Sequence, residues 1–389
     1  MLSSFIFSFA KATEEFDIDV AGVILLEVAV EGSPAGTEKL IFDTGSEHSW
    51  IYHNEELKRI HRGYIPARMI VGGFRTHMIS HMSVVPENGR HILYADSSRI
   101  QCDKWTRKQF KIGNHAWQQK FGIARGNEKG SPPRNSGLIG ASPKSEFALV
   151  HPQFGFRPMY SNKMKLFFGP IDPEKCNNNQ VQYVRLSDHR HWTIPGSFYF
   201  GEGFGARRVS LAFDTGASVL ALPHTLFVYI YHRIKRLGIR YEYFHNKLHG
   251  EIDCRDVHKL LPFEIHTREG FKIILPVSHY VEKHYPSVCV VLFARISDRL
   301  PIVLGRPLIR NFITEYDQTN MRIGICQPAG RDFNVGDQIE EIPYPPIQDM
   351  IIPPRLPYGI IVGPFDTYDS LSLSAVFSNI MLLLIVFMH

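Results

Sequence analysis

The sequence predicts an all-β-dominated protein built from two similar lobes related by a pseudo-twofold axis, with a few short helices. Strand-forming and turn-forming residues are plentiful, since the 389 residues include 27 Phe, 16 Tyr, 30 Gly and 25 Pro. A motif of apolar residues followed by Asp-Thr-Gly occurs twice, at 40–46 and 211–217. Each copy is followed, after a similar interval of strand and turn patterns, by an apolar sequence ending in glycine, at 137–140 and 302–305. A duplication of this length indicates two related structural units.

Composition divides the chain into five segments. We expect a short signal-like segment at 1–13, an N-terminal lobe at 14–170 and a C-terminal lobe at 171–330. A proline-rich linker at 331–366 then leads to a hydrophobic tail at 367–389. The tail is near the length that crosses a bilayer, and it also fits a lipid-anchor signal or a buried terminal helix. We therefore expect a protein of the secretory pathway, the extracellular space or an acidic vacuole-type compartment, with membrane association through this tail.

Local patterns predict the individual elements. The apolar, β-branched run at 23–30 leads into a Gly-Ser-Pro turn, which indicates a strand followed by a bend. Residues 197–200 and 208–213 flank a glycine-rich turn and predict a hairpin. Apolar residues at helical spacing predict a helix at 222–237.

Bulk composition argues against several functional classes. The net charge of +5 is spread along the chain, and no basic tract carries interleaved aromatic residues, so we expect no nucleic-acid partner. None of the five cysteines forms a Cys-x-x-Cys pair, and the 19 histidines are scattered, with 189–191 and His77/His81 the closest groups. Because no carboxylate or cysteine lies at ligand spacing from them, we expect neither a metal site nor a cofactor.

The duplicated motif places an aspartate at the end of each of two predicted buried strands. If the lobes face each other, Asp43 and Asp214 meet at the centre, where two adjacent carboxylates share one proton. The ionised member then accepts a proton from a water that attacks a carbonyl carbon, and the protonated member stabilises the oxyanion and helps protonate the leaving amine. The pair therefore predicts acid–base hydrolysis of peptide bonds.

The two copies differ at the position after the glycine. Ser46 can donate a hydrogen bond to Asp43, whereas Ala217 has no hydroxyl to offer Asp214. Losing a donor destabilises the charged form of a carboxyl group. We expect the lower apparent pKa of the pair to rise, which moves the pH optimum toward neutrality relative to an Asp-Thr-Gly-Thr version.

Together these motifs resemble those of the pepsin family of aspartic peptidases over most of residues 18–328. Trp50 stands where the family has its cleft-wall tryptophan, and Tyr94 stands where it has the tyrosine of its flap. Further segments similar to the family's motifs lie at 135–140, 303–312 and 316–324.

The resemblance implies a monomeric aspartic endopeptidase that binds an extended peptide between its lobes, under a flap, and cleaves it beside bulky apolar residues. It implies that Asp43 and Asp214 are catalytic. It implies supporting roles for Thr44, Ser46, Trp50 and Thr215, and substrate binding by Gly45, Tyr94, Ala95, Asp96, Gly216 and Ser218. It also implies a disulfide between Cys254 and Cys289, and it leaves the pairing of Cys102, Cys176 and Cys326 open.

The chain departs from the family pattern in its flap and first lobe. Ala95 and Ser97 occupy positions where glycines usually follow the flap tyrosine, and residues 52–81 contain no cysteine for a first-lobe disulfide. The alternative hypothesis is therefore a catalytically inactive or slow homologue that acts as a peptide-binding protein.

Overall fold

The structure is a computed structural model, and it describes most of the two predicted lobes. The described residues are 14–20, 24–53, 91–93, 99–124, 136–159, 163–201, 204–243, 250–283, 287–330, 339–341 and 360–362. The predicted flap residues Tyr94, Ala95 and Asp96 therefore lie outside the described residues, as do the signal-like segment 1–13 and the tail 367–389.

Strands dominate the described chain. They are β1 (Glu15–Val20), β2 (Ile24–Val30), β3 (Thr37–Asp43), β4 (Ser49–Tyr52), β5 (His91–Leu93), β6 (Arg99–Ile112), β7 (His115–Ala124), β8 (Gly137–Gly140), β9 (Gln153–Pro158), β10 (Lys163–Phe168), β11 (Gln182–Arg185), β12 (Thr193–Phe200), β13 (Gly205–Phe213), β14 (Leu220–Pro223), β15 (Glu242–Tyr243), β16 (Gly250–Asp253), β17 (Phe263–Thr267), β18 (Phe271–Leu275), β19 (Val281–Lys283), β20 (Val288–Val291), β21 (Phe293–Ile296), β22 (Ile302–Leu304), β23 (Ile313–Asp317), β24 (Arg322–Cys326), β25 (Ile339–Glu341) and β26 (Ile360–Val362).

The helices are short. They are α1 (Glu146–Val150), α2 (His224–Arg236), α3 (Val277–Tyr280) and α4 (Arg306–Ile309), with 3₁₀ turns at Pro173–Lys175, Asn177–Asn179 and Cys254–Lys259. The predicted helix at 222–237 is confirmed as α2, which buries Leu226, Ile230 and Ile234 on one face. No helix among the described residues is long and apolar enough to cross a membrane.

Three sheets organise these strands. A 13-stranded sheet runs in the order β11-β24-β23-β9-β10-β1-β2-β3-β8-β4-β7-β6-β5. A nine-stranded sheet and a four-stranded sheet lie in the second half. Strand β9 of the first half pairs antiparallel with β23 of the second, so one sheet joins the two halves. The mostly-β, bilobal architecture predicted from the sequence is confirmed, while the lobe boundaries stay predictions.

The topology around each Asp-Thr-Gly motif is the same in the two halves. Strand β3 pairs parallel with β8. Strand β4 pairs antiparallel with β8 and parallel with β7. In the second half, β13 pairs parallel with β22, and β14 pairs antiparallel with β22 and parallel with β21. Each motif therefore ends a strand that pairs in parallel with the strand of its own apolar-glycine sequence.

Other predicted elements follow the same pattern. The strand expected at 23–30 is β2, and the expected hairpin is confirmed by the antiparallel pairing of β12 with β13. Within the predicted linker, β25 pairs with β18, and β26 pairs with β13.

Two disulfides settle most of the cysteine pairing. Cys254 bonds to Cys289, and Cys176 bonds to Cys326 across 150 residues of sequence. Cys102 is a free, buried cysteine, and burial raises the pKa of its thiol to about 12, so it stays protonated.

Candidate active site

The two Asp-Thr-Gly motifs meet through their threonines. The Thr44 hydroxyl donates to the carbonyl oxygen of Phe213 and accepts from the amide of Thr215, both at 3.0 Å. Reciprocally, the Thr215 hydroxyl donates to the carbonyl oxygen of Phe42 at 2.6 Å and accepts from the amide of Thr44 at 3.0 Å. Because both threonines are buried, these four bonds hold the two strand ends in a defined register.

Each glycine amide then holds the carboxylate of its own motif. Gly45 donates to Oδ1 of Asp43 and Gly216 donates to Oδ1 of Asp214, each at 2.8 Å. Both carboxylates are fully buried, with exposures of 0% and 1%. The two turns therefore place two carboxyl groups in one buried space.

The glycine at position 45 allows the two carboxylates to approach. A Cβ atom placed on Gly45 would lie 2.6 Å from Oδ2 of Asp214, a distance at which the atoms collide. The first motif's turn therefore packs directly against the second motif's carboxylate, and only glycine leaves room for it.

The proximity of the two carboxyl groups changes their acidity. Burial raises the pKa of Asp43 well above its usual value, and the neighbouring Asp214 raises it further. Hydrogen bonds from Ser46 and Gly45 act in the opposite direction without outweighing these causes. A buried pair of this kind keeps one proton between its members over a wide pH range.

The predicted asymmetry between the motifs is visible in their hydrogen bonds. The Ser46 hydroxyl donates to Oδ2 of Asp43 at 2.7 Å. Ala217 occupies the equivalent position and has no hydroxyl, so the buried Oδ2 of Asp214 receives no donor from its own motif. Asp214 therefore has one donor fewer than Asp43.

Trp192, which the sequence analysis did not single out, links the two motifs by hydrogen bonds. The indole Nε1 of Trp192 donates to the carbonyl oxygen of Ala141 at 2.8 Å, and the Trp192 carbonyl accepts from the amide of Phe213 at 2.9 Å. Ala141 in turn donates its amide to the carbonyl of Asp43 at 2.8 Å. Trp192 is 1% exposed and packs edge-on against Tyr316 and Phe154. No local motif marks this residue, since its partners lie far away in sequence.

A network of charged residues that the sequence did not single out supports the second motif, and only its Arg306 is fully buried. The Arg306 amide donates to the carbonyl of Ala217 at 2.8 Å, and its Nε donates to the carbonyl of Ser218 at 3.4 Å. Its guanidinium pairs with Glu282 at 3.0 Å, and Arg310 pairs with the same carboxylate. Burial opposes the charge of Glu282, but the two guanidinium groups outweigh it and lower the pKa of this carboxyl.

The remaining predicted residues fall into two groups. Trp50 lies in β4, is 6% exposed and contacts the ring of Tyr52 edge-on at 5.0 Å, while Ser218 is buried directly after the second motif. The predicted contacts of Tyr94, Ala95 and Asp96 with substrate fall on residues outside the described part. Within the described part, no group of three or more His, Cys, Asp or Glu side chains is arranged to hold a metal ion.

The geometry defines a class of protein: two homologous β lobes that bring one aspartate each to a shared, buried centre. The family model described as "Eukaryotic aspartyl protease" matches residues 26–328, which is well over half of the chain. The chain belongs to this family of eukaryotic aspartyl proteases.

Proposed function

We propose that the protein is an aspartic endopeptidase, with Asp43 and Asp214 as its catalytic pair. The observation that carries the proposal is the reciprocal threonine network, which holds the two motifs together so that their buried carboxyl groups lie close to each other. Membership of the aspartyl protease family supports the same activity.

The reaction begins with one carboxyl protonated and one ionised. The ionised member accepts a proton from a water molecule as its oxygen attacks the scissile carbonyl carbon. The protonated member donates a hydrogen bond to the developing oxyanion. When the tetrahedral intermediate breaks, a proton passes to the leaving amine, and the pair returns to its starting charge.

The hydrogen bonds of Asp43 offset part of the increase in its pKa. Its two carboxylate oxygens accept hydrogen bonds from Gly45 and Ser46, whereas Asp214 accepts one bond, from Gly216. Hydrogen bonds donated to a carboxylate favour its charged form. The two carboxyl groups therefore titrate as one unit that holds a single proton.

The proposed substrate is an extended peptide with bulky apolar residues at the scissile bond, bound in the cleft between the lobes. Tyr94, Ala95 and Asp96 of the flap, with Gly45, Gly216 and Ser218, would contact its main chain, and Trp50 would support the cleft wall. We propose a monomer of the secretory pathway, since two disulfides are typical of oxidising compartments. The tail at 367–389 would attach it to a membrane, which phase partitioning of the full chain with and without the tail tests.

Cleavage of a quenched-fluorescent peptide library at acidic pH tests the activity. Asp43→Asn and Asp214→Asn should each reduce kcat/KM by about 10³-fold or more, because the shared proton and the general base are both lost. Asp17→Asn is the matched control, since this aspartate is 75% exposed on β1 and should leave the rate unchanged.

The same experiment distinguishes the peptide-binding alternative. An active-site inhibitor that mimics the tetrahedral intermediate should bind the wild type and lose affinity in both Asn variants. If the wild type cleaves nothing and binds peptides as tightly as Asp43→Asn does, the protein is a peptide-binding homologue and the endopeptidase proposal is wrong.

A further inference from the structure

A buried carboxyl group lies at the junction of the two halves and takes no part in the reaction described so far. Glu315 belongs to β23, the strand that pairs with β9 of the first half, and it is 0% exposed. The next residue, Tyr316, points to the opposite face of the sheet, where its ring packs against Trp192 at 5.2 Å between centroids. Glu315 and the residues that support the two motifs therefore lie on opposite faces of one strand.

Three donors from three segments of the chain meet on this carboxyl group. The side-chain amide of Gln153 in β9 donates to Oε1 at 2.8 Å. The main-chain amide of Ile171 and the hydroxyl of Tyr183 in β11 donate to Oε2, at 2.8 and 3.2 Å. Gly324 faces Glu315 across the β23–β24 pair and leaves room for these partners, since a Cβ atom there would lie 2.8 Å from the Tyr183 ring. Glu315, Gln153, Ile171 and Tyr183 form a junction cluster that ties the first half to the second.

Two of the three partners suit a protonated carboxyl group as well as an ionised one. A tyrosine hydroxyl both donates and accepts, and a glutamine side chain presents its oxygen when its amide group is turned over. A proton on Oε1 would be donated to the Gln153 oxygen, and a proton on Oε2 to the Tyr183 oxygen. The Ile171 amide only donates, and a carboxyl oxygen accepts it in either state. The junction cluster therefore keeps its hydrogen bonds when Glu315 takes up a proton.

The charges around Glu315 favour its neutral form. In the described part of the chain, no guanidinium or ammonium group forms an ion pair with it. Arg322 of β24 pairs with Asp317 at 2.8 Å and lies over the Tyr183 ring at 3.8 Å. Asp317 is also 0% exposed and lies two residues along the same face of β23, so its charge opposes a second charge at Glu315. Burial raises the pKa of Tyr183 to about 12, so the phenol stays neutral.

These surroundings also set the acidity of Glu315. Burial raises its pKa above the usual value and the charge of Asp317 raises it further, while the hydrogen bonds of the junction cluster offset part of the increase. A carboxyl group whose pKa is higher in the folded than in the unfolded protein stabilises the fold below its unfolded-state pKa. That stabilisation is lost as the pH rises through the folded-state pKa.

We propose that Glu315 is a pH-sensitive link between the two halves. In acid it joins β9, β11 and β23 as a neutral carboxylic acid, and as the pH rises it becomes a buried negative charge that weakens the same junction. Its effect is opposite to that of Glu282, whose ion pairs are lost in acid. The link is a property of the fold and does not depend on peptide cleavage, so this proposal and the proposed function fail in different experiments.

Thermal unfolding of Glu315→Gln tests the link, because the amide has the shape of the neutral acid and does not ionise. The Tm of the variant minus that of the wild type should increase by about 1 to 2 °C between about pH 4 and pH 7.5, since only the wild type gains a buried charge. Glu27→Gln, at an exposed position of β2 in the same sheet, is the matched control, and its difference from the wild type should not change with pH. A Glu315→Gln difference that is constant or falls as the pH rises overturns the proposal.

A direct titration of the carboxyl group gives the second readout. In protein with labelled glutamate side chains, the Glu315 signal is the one that disappears in Glu315→Gln. Gln153→Lys supplies a cation from the first half and should lower the pH at which this signal titrates by about 1 unit or more, because an opposite charge favours the ionised form. If the wild-type signal already titrates at the ordinary glutamate pKa of about 4.3, Glu315 is not held neutral by the junction and the proposal is wrong.

Discussion

The two halves of the active site share a backbone and differ in the side chains that support it. In both halves, the residue after Asp-Thr-Gly donates its amide back to the aspartate carbonyl, at 3.3 Å for Ser46 and 3.2 Å for Ala217. In both, the carbonyl of that residue accepts an amide from the segment after the apolar-glycine sequence, at 2.9 Å from Ser142 and 2.8 Å from Arg306. The main-chain framework is therefore duplicated almost bond for bond.

The supporting side chains are neutral in the first half and charged in the second. Behind the first motif, the hydroxyl of Ser145 donates to the carbonyl of Ser142 at 2.8 Å and accepts the amide of Ala148 to cap α1. Behind the second motif stand the guanidinium of Arg306 and the carboxylate of Glu282. The duplicated backbone therefore preserves the position of the two carboxylates, while the side chains behind each motif differ and can give the two aspartates different acidity.

The shared framework predicts equal effects from equivalent threonine substitutions. Thr44→Val and Thr215→Val should each lower the free energy of unfolding by about 4 kcal/mol, because each leaves one buried amide and one buried carbonyl unpaired at about 2 kcal/mol per group. Urea unfolding measures the loss. Thr225→Val, on the exposed start of α2, is the control and should cost under about 1 kcal/mol. If the losses for Thr44→Val and Thr215→Val differ by more than about 2 kcal/mol, the hydrogen bonds of the two threonines do not contribute equally to stability, and this prediction is wrong.

The charged support predicts a larger stability loss in the second half. Arg306→Met should lower the free energy of unfolding by about 2 kcal/mol, because it removes one of the two partners of the half-buried Glu282 carboxylate, whereas Ser145→Ala should cost about 1 kcal/mol as a lost helix cap. Arg107→Met, which breaks an ion pair whose guanidinium is 60% exposed, is the control for charge removal and should cost about 0 to 1 kcal/mol.

The loss from Arg306→Met should also depend on pH. The pKa of Glu282 is lowered in the folded protein, so its ion pairs stabilise the fold above the ordinary glutamate pKa and are lost as the pH falls through the folded-state pKa. Unfolding experiments at decreasing pH should therefore show the gap between wild type and variant narrowing. A gap that is constant with pH would mean that Arg306 acts by packing alone.

The smallest expected effect concerns the missing hydroxyl at position 217. Ala217→Ser should lower the acid limb of the pH profile of kcat/KM by about 0.5 to 1 pH unit, because the new hydroxyl can donate to Oδ2 of Asp214. Ser46→Ala should move the same limb upward by a similar amount. If neither variant moves the acid limb, the hydroxyl asymmetry does not control the acidity of the pair, and the hypothesis is wrong.

Short-range patterns predicted the parts of the site that lie within a few residues of each aspartate. A buried strand, an aspartate and a glycine turn are adjacent in sequence, so the bonds from Gly45 and Gly216 to their own carboxylates follow from local conformation. The difference between Ser46 and Ala217 was also predictable from the sequence, because both residues lie inside the motif. The helix α2 was predictable for the same reason, since its apolar residues repeat at helical spacing.

The sequence by itself determined that two similar β units each present one aspartate on a glycine turn, because the residues that form such a turn are neighbours in the chain. The tertiary structure alone decided what surrounds the pair. It brought Trp192, which lies just before β12, Arg306 of α4 and Glu282 of β19 to the second motif, and it paired Cys176 with Cys326. These contacts join residues up to 150 positions apart in the cysteine pair and 173 in the threonine network, and only the packing of whole sheets brings such residues together.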